Sequence, residues 1–116
     1  MVWGWSMSVD CRQCDKDVIT NPELLQSWIA ELVSDLEMEA YGDAQIVHFG
    51  KEDKTGYTVV QLIQTSNITA HLCDQSGDAY VDVFSCKPFT QETVLLNIDK
   101  WLHPTVSTSK MIVRQA

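Results

Sequence analysis

Residues 57–86 alternate apolar and polar side chains around two turns, and this alternation most limits the folds open to the chain. The middle run places apolar residues at every second position and polar residues between them, as Ile68, Ala70 and Leu72 against Asn67, Thr69, His71 and Cys73. Successive side chains of a strand point to opposite faces of its sheet. The segment therefore predicts strands at 57–64, 68–73 and 79–86, with one apolar face and one face of reactive side chains.

Two apolar stripes at three- and four-residue steps predict two amphipathic helices. The first begins with Asn21 as N-cap and Pro22 at the first helical position, and it runs to about Met38. The second begins after Thr90 as N-cap and ends before Pro104. Further strands are predicted at 2–11, 46–49 and 111–113.

The predicted element order is β-α-β-β-β-β-α-β, with mostly antiparallel pairing. Two amphipathic helices cover only one face of such a sheet, so we expect an α+β two-layer sandwich. A length of 116 residues fits one domain over residues 1–116.

Charge and hydropathy exclude several classes of partner. A formal net charge of −8 has the wrong sign for gripping phosphate backbones, so nucleic acid is not an expected partner. The apolar runs fall short of the ~20 residues of a membrane helix, and the opening residues lack the basic cap of a signal peptide. We therefore expect no membrane partner and a cytoplasmic location.

The four cysteines are predicted to be free thiols, because a cytoplasmic chain of this size can build a core without disulfides. Cys11 and Cys14 have the spacing of a redox pair or of half a zinc site. No second ligand pair accompanies them, and they precede Asp15 and what reads as a loop, whereas a redox pair normally opens a helix. We interpret them as ordinary cysteines, His48 and His103 as solvated or packed, and expect no metal site.

Three residues of the alternating segment could support acyl chemistry. Ser66, His71 and Cys86 supply a hydroxyl nucleophile, an imidazole base and a thiol acid. Ser66 and His71 lie on one predicted strand and Cys86 at the end of its hairpin partner, so a hairpin is expected to bring them together. Each residue alone is commonplace at such positions.

The sequence at these positions resembles that of the prokaryotic S-adenosylmethionine decarboxylases. The residues that carry the resemblance are Ile-Gln-Thr-Ser-Asn-Ile-Thr-Ala-His at 63–71 and Tyr-Val-Asp-Val-Phe-Ser-Cys at 80–86. The family has a Glu-Ser-His-Leu-x-x-His strand followed by an Asp-(apolar)-Phe-Thr-Cys strand. The resemblance extends more weakly over nearly the whole chain, and it implies the same two-layer sandwich.

The resemblance implies a precursor that cleaves itself. Ser66 falls on the serine that becomes a pyruvoyl group, His71 on the processing histidine, Cys86 on the catalytic cysteine and Thr58 on a serine that assists processing. The Ser66 hydroxyl would attack the Thr65 carbonyl, and His71 would remove the α-proton so that the chain splits between Thr65 and Ser66. The resulting ketone accepts electrons as carbon dioxide leaves a bound amino acid, and Cys86 returns a proton.

Several residues depart from the family pattern. Thr65 stands for the family's Glu, and Asn67, a weak substrate-binding candidate, stands for its His. Leu-Cys-Asp-Gln at 72–75 replaces Thr-Trp-Pro-Glu, which removes an aromatic residue that the family uses to stack on adenine. Phe49 and Tyr57 are the nearest aromatic candidates to replace it.

The expected function is a pyruvoyl-dependent decarboxylase of S-adenosylmethionine, which would feed spermidine and other polyamine synthesis. One alternative is a decarboxylase of another cationic amino acid, arginine or ornithine. Another is an unprocessed paralogue that binds or regulates an active partner. An uncovered sheet face, and the dimers that the family forms through its sheets, predict a homodimer.

Overall fold

The computed structural model describes all 116 residues and contains six strands and three helices. The strands are β1 (Gly4–Arg12), β2 (Gln45–Phe49), β3 (Gly56–Ile63), β4 (Ser66–Cys73), β5 (Ala79–Ser85) and β6 (Val106–Arg114). The helices are α1 (Lys16–Ile19), α2 (Pro22–Asp35) and α3 (Gln91–Leu102).

The strands form one sheet in the order β2-β3-β4-β5-β1-β6, and every neighbouring pair is antiparallel. The predicted α+β class and antiparallel pairing are confirmed. The β3-β4-β5 meander at the centre of this order places residues 56–85 side by side. Most candidate residues of the sequence analysis therefore lie on these three strands or at their ends, and Phe49 lies on the neighbouring strand β2.

Helix α2 begins where its capping residues predict and ends earlier than predicted. The Asn21 side chain accepts hydrogen bonds from the backbone N–H groups of Glu23 and Leu24. The helix ends at Asp35 and not near Met38, because Glu37 adopts a left-handed backbone conformation with φ 56°. A residue in the left-handed conformation ends a helix because it turns the chain away from the helix axis.

The structure adds one helix that the sequence analysis read as a loop. The Asp15 carboxylate accepts from the backbone N–H of Asp17 and caps the single turn α1. One turn is too short to show an apolar stripe, so periodicity gave no signal for it. Strand β6 also extends beyond the predicted 111–113, because it pairs with β1 along its whole length.

The helices and one face of the sheet enclose a core of 22 buried residues. The α2–α3 contact includes a buried hydrogen bond of 2.8 Å from the Trp28 indole N–H to the side-chain oxygen of Asn97. At the surface of the same contact, Glu31 binds both Lys100 and Trp101. No helix of the structure is both long and apolar enough to cross a membrane.

Candidate active site

The predicted cleavage point lies in the tight turn between β3 and β4. Ile63 pairs with Ser66 across the hairpin, so Gln64 and Thr65 form a two-residue turn. Thr65 has a left-handed φ of 62°, which is costly for a β-branched residue. The predicted cleavage bond, between Thr65 and Ser66, therefore follows a residue with a strained backbone at the end of the sheet.

Thr65 also contacts Cys86. The Thr65 Oγ1 and Cys86 Sγ atoms are 2.7 Å apart, and the Thr65 hydroxyl donates to the Gln64 carbonyl. A hydroxyl has one proton, so the hydrogen between the two side chains comes from the thiol. The Cys86 Sγ atom is therefore held beside the Thr65–Ser66 bond by a hydrogen bond to Thr65.

Ser66 contacts a residue that the sequence analysis did not single out. Its hydroxyl donates to the Ser85 Oγ over 3.2 Å, and Ser85 is fully buried at the end of β5. The alternation of β5 could have indicated that Ser85 is buried, because it follows Ala79, Val81 and Val83 at every second position on the core face. A polar residue in such a row needs a partner.

His71 pairs with Thr58, the other residue that the resemblance assigns to processing. The two residues face each other in the β3–β4 register, with 3.1 Å between Thr58 Oγ1 and His71 Nδ1. If the Thr58 hydroxyl accepts from Nδ1–H, the Nε2 atom of His71 is left free to act as a base. The His71 side chain is exposed, so this atom is open to a second molecule.

The structure does not bring Ser66 and His71 together. They are five residues apart on β4, which is about 17 Å at ~3.4 Å per residue. An odd separation also places their side chains on opposite faces of the sheet. The expectation that one hairpin would assemble Ser66, His71 and Cys86 is therefore wrong within a single chain: Cys86 lies beside the Thr65–Ser66 bond, and His71 does not.

Two separate cavities adjoin the candidate residues, one at the β3–β4 turn and one at His71. A cavity of about 430 Å³ is lined by Thr65, Ser66 and Cys86, together with Glu37, Glu39 and Lys87. A second cavity, of about 520 Å³, is lined by His71 with Cys73, Asp78 and Tyr80. Both volumes fall in the range of small-molecule sites.

Cys11, Cys14 and His48 have structural partners outside the candidate site. Cys11 and Cys14 are buried free thiols, and the hydrogen bond between them lowers the pKa of Cys14 and raises that of Cys11. His48 binds Asp74 over 2.6 Å, and His103 ends α3 in a left-handed conformation. Contrary to the sequence interpretation, Cys14 does precede a helix, because Asp15 caps α1.

Comparison with known families decides how this geometry is interpreted. The sequence profile of the family described as S-adenosylmethionine decarboxylase matches residues 5–115. This chain belongs to that family.

Individual relatives of the family are distant. An S-adenosylmethionine decarboxylase proenzyme of Caldicellulosiruptor saccharolyticus is 34% identical over 73 residues, which cover 63% of this chain and 56% of that protein. One from Clostridium kluyveri is 29% identical over 73 residues, covering 63% of this chain and 55% of its own length. The chain thus matches little more than half the length of these curated relatives.

A solved structure of the family shares the fold. The crystal structure of the adenosylmethionine decarboxylase from Aquifex aeolicus VF5 superposes with a TM-score of 0.84 and covers 99% of this chain and 92% of that one. The sequence identity is 21%, so this similarity shows the architecture alone.

The three weak substrate-binding candidates of this family member lie apart from one another. Asn67 follows Ser66 and pairs with Phe84, so it adjoins the predicted cleavage point. Phe49 is exposed at the other end of the hairpin, where it pairs with Gly56. Tyr57 packs edge-on against the His48 ring, on the face of β3 opposite to Thr58. The structure therefore brings Asn67 to Ser66 and leaves Phe49 and Tyr57 far from it.

Proposed function

We propose that this chain is a self-processing decarboxylase precursor that is cleaved between Thr65 and Ser66. The observation that carries the proposal is the arrangement at the β3–β4 turn. There a serine hydroxyl adjoins a strained Thr65, and Thr65 in turn contacts the Cys86 thiol. Membership of a family whose curated relatives are named proenzymes supports it.

The proposed cleavage uses residues of this chain in a fixed order. The Ser66 Oγ attacks the Thr65 carbonyl carbon and replaces the peptide bond by an ester, which frees the Ser66 amino group. A base removes the Ser66 α-proton, and the ester C–O bond breaks to leave a Thr65 carboxylate and a dehydroalanine at position 66. Water then releases ammonia and leaves a pyruvoyl group on the new N-terminus.

The residues at the turn fit a pyruvoyl group at position 66. Ser66 is the first residue of β4 and borders the 430 Å³ cavity, so a new N-terminus there opens onto space for a substrate. The pyruvoyl ketone supplies the electron sink for loss of carbon dioxide from a bound amino acid. The Cys86 thiol, which adjoins Thr65, donates the proton that the α-carbon of the product needs.

The base in this scheme is His71, and we propose that a second copy of the chain supplies it. Within one chain the strand geometry places His71 about 17 Å from Ser66 along β4, too far to remove its α-proton. The helix-free face of the sheet presents exposed apolar residues, including Leu62 and Ile112, on which a second copy can pack. A homodimer therefore completes the site with His71 of the partner subunit.

S-adenosylmethionine is the proposed substrate, bound weakly. The cavity at Ser66 is lined by Glu37 and Glu39, whose negative charge suits a substrate that carries a sulfonium and an ammonium group. Its lining includes no aromatic residue for stacking on adenine. This second observation favours arginine or ornithine as the alternative substrate. We also propose that the protein is located in the cytoplasm and takes part in polyamine synthesis.

Intact-mass measurement of purified protein tests the proposal. We expect fragments 1–65 and 66–116, the second blocked by a pyruvoyl group, in place of a 13.1 kDa chain. A Ser66→Ala variant should stay whole. Wild-type protein that stays whole after long incubation contradicts the proposal and leaves the unprocessed binding or regulatory paralogue.

A further inference from the structure

Ser85 is a buried hydroxyl with a fully used set of hydrogen bonds. It has no exposed surface and lies at the last position of β5, in a row of otherwise apolar core residues. Its Oγ accepts from the backbone N–H of Lys87 at 2.9 Å and donates to the carbonyl of the same residue at 2.9 Å. The Met38 sulfur, at 3.8 Å, is a more distant acceptor.

The remaining lone pair of Ser85 fixes the Ser66 hydroxyl. A serine hydroxyl offers one proton and two lone pairs, and Lys87 takes the proton and one lone pair. The contact between the two serine oxygens must then be a bond in which Ser66 donates. The Ser66 side chain is thereby held in one of its three staggered rotamers.

Both residues of the predicted cleavage point contact consecutive residues of the neighbouring strand end. Ser66 binds Ser85, and Thr65 binds Cys86. Ser85 is anchored to the backbone of Lys87 and not to a mobile side chain, so its position is set by the fold. The Ser85–Cys86 pair therefore holds the attacking residue and the attacked residue at once.

We propose that Ser85 is a positioning residue for self-cleavage, which holds the Ser66 hydroxyl for attack on the Thr65 carbonyl. The inference rests on the proposed function and adds to it a residue that takes no proton and touches no substrate. Its role ends when the ester has formed. A defect at Ser85 must therefore appear in ester formation and not in the later elimination.

The test follows cleavage of freshly purified precursor by intact mass, with and without hydroxylamine, which cuts the ester but not the peptide bond. Ser85→Ala should slow cleavage roughly tenfold to a hundredfold, as expected for a misplaced reacting group, and hydroxylamine should not restore it. Ser85→Thr, which keeps the hydroxyl, should cleave within about threefold of wild type. His71→Ala, blocked after the ester, should be cut rapidly by hydroxylamine.

Two further variants separate positioning from stability. Ser109→Ala removes a hydroxyl on β6 that donates to Gln91 at the start of α3, far from the turn, and should leave cleavage unchanged. Ser85→Cys, close in size to serine, decides the matter if Ser85→Ala does not fold, and it should also cleave slowly. Folded Ser85→Ala or Ser85→Cys that cleaves at the wild-type rate overturns the role of Ser85. A wild-type chain that neither cleaves nor responds to hydroxylamine overturns the proposed function instead.

Discussion

Ser66 and His71 share strand β4, but their side chains project from opposite faces of the sheet. The hydroxyl that starts the proposed cleavage and the imidazole that finishes it therefore act from different places. Each has a partner of its own: Ser66 binds Ser85, and His71 binds Thr58. This separation makes the assembly of two copies a chemical requirement for the proposed reaction.

Mixing two inactive variants tests whether the histidine acts between chains. Ser66→Ala and His71→Ala should each stay whole when expressed alone. When they are co-expressed with distinguishable tags, His71→Ala chains should be cut, because a Ser66→Ala partner supplies the missing imidazole. The measurement is the mass of each tagged chain. If mixed dimers form and neither chain is cut, His71 does not act across the interface.

Cys86→Ala should separate cleavage from turnover. The variant should still produce fragments 1–65 and 66–116, but carbon dioxide release per cleaved molecule should fall roughly a hundredfold or more, the usual contribution of a positioned acid. Cys14→Ala is the matched control, since Cys14 is a free thiol that lines neither the cavity at Ser66 nor the cavity at His71. Equal turnover of the cleaved Cys86→Ala enzyme and wild type would show that the thiol only packs.

Glu39→Gln should weaken binding of a cationic substrate without slowing its chemistry. Removing one partly screened charge from the cavity at Ser66 costs about 0.5–1 kcal/mol, so KM should rise roughly twofold to fivefold at constant kcat. Carbon dioxide release from S-adenosylmethionine, arginine and ornithine should be compared in parallel. The control is Glu23→Gln at the start of α2. Release from ornithine or arginine alone would overturn the assignment of S-adenosylmethionine.

Glu31 should give the contact between α2 and α3 a dependence on pH. The Trp101 indole N–H, and then the Lys100 side chain, lower the pKa of Glu31. A lowered folded-state pKa contributes stability that is present above the unfolded pKa and is lost as the pH falls through the folded one. Glu31→Gln should therefore lower the Tm at pH 7, and the difference should shrink toward acid.

This dependence is best measured in the uncleaved Ser66→Ala background, by thermal unfolding between pH 7 and pH 3. Glu52→Gln, at an exposed position after β2, is the matched control for loss of one surface carboxylate, and it should lower the Tm at pH 7 less than Glu31→Gln does. A difference between Glu31→Gln and its parent that stays constant over this range would contradict a role for the Glu31 charge.

The sequence predicted the elements whose signals are local. Asn21 and Thr90 mark the helix starts correctly, because an N-cap acts through its own side chain. The extent of β6 was underestimated, since its polar first half is held by pairing with β1 and not by its own pattern. The α+β fold class was predictable because a sheet with one apolar face and two helices with apolar stripes can bury these surfaces in few arrangements.

The candidate site was only partly predictable. Cys86 reaches Thr65 because hairpin register fixes which strand ends meet, a relation that could be counted from the turns. The separation of Ser66 from His71 was also readable, since residues an odd number apart on a strand face opposite ways. The alternation of β5 marks Ser85 as a buried position, but its partners Ser66 and Lys87 follow only from the folded structure.

The order of the strands determines what cleavage between Thr65 and Ser66 does to the molecule as a whole. Fragment 1–65 would contain β1, β2 and β3, and fragment 66–116 would contain β4, β5 and β6. In the sheet order β2-β3-β4-β5-β1-β6 the two fragments interleave, with β1 inserted between β5 and β6. The cut protein thus stays one body while it is folded. Once the cut protein unfolds, its two fragments separate and must associate again to refold. Its refolding should therefore depend on the concentration of both fragments, whereas folding of the uncut precursor chain involves one molecule.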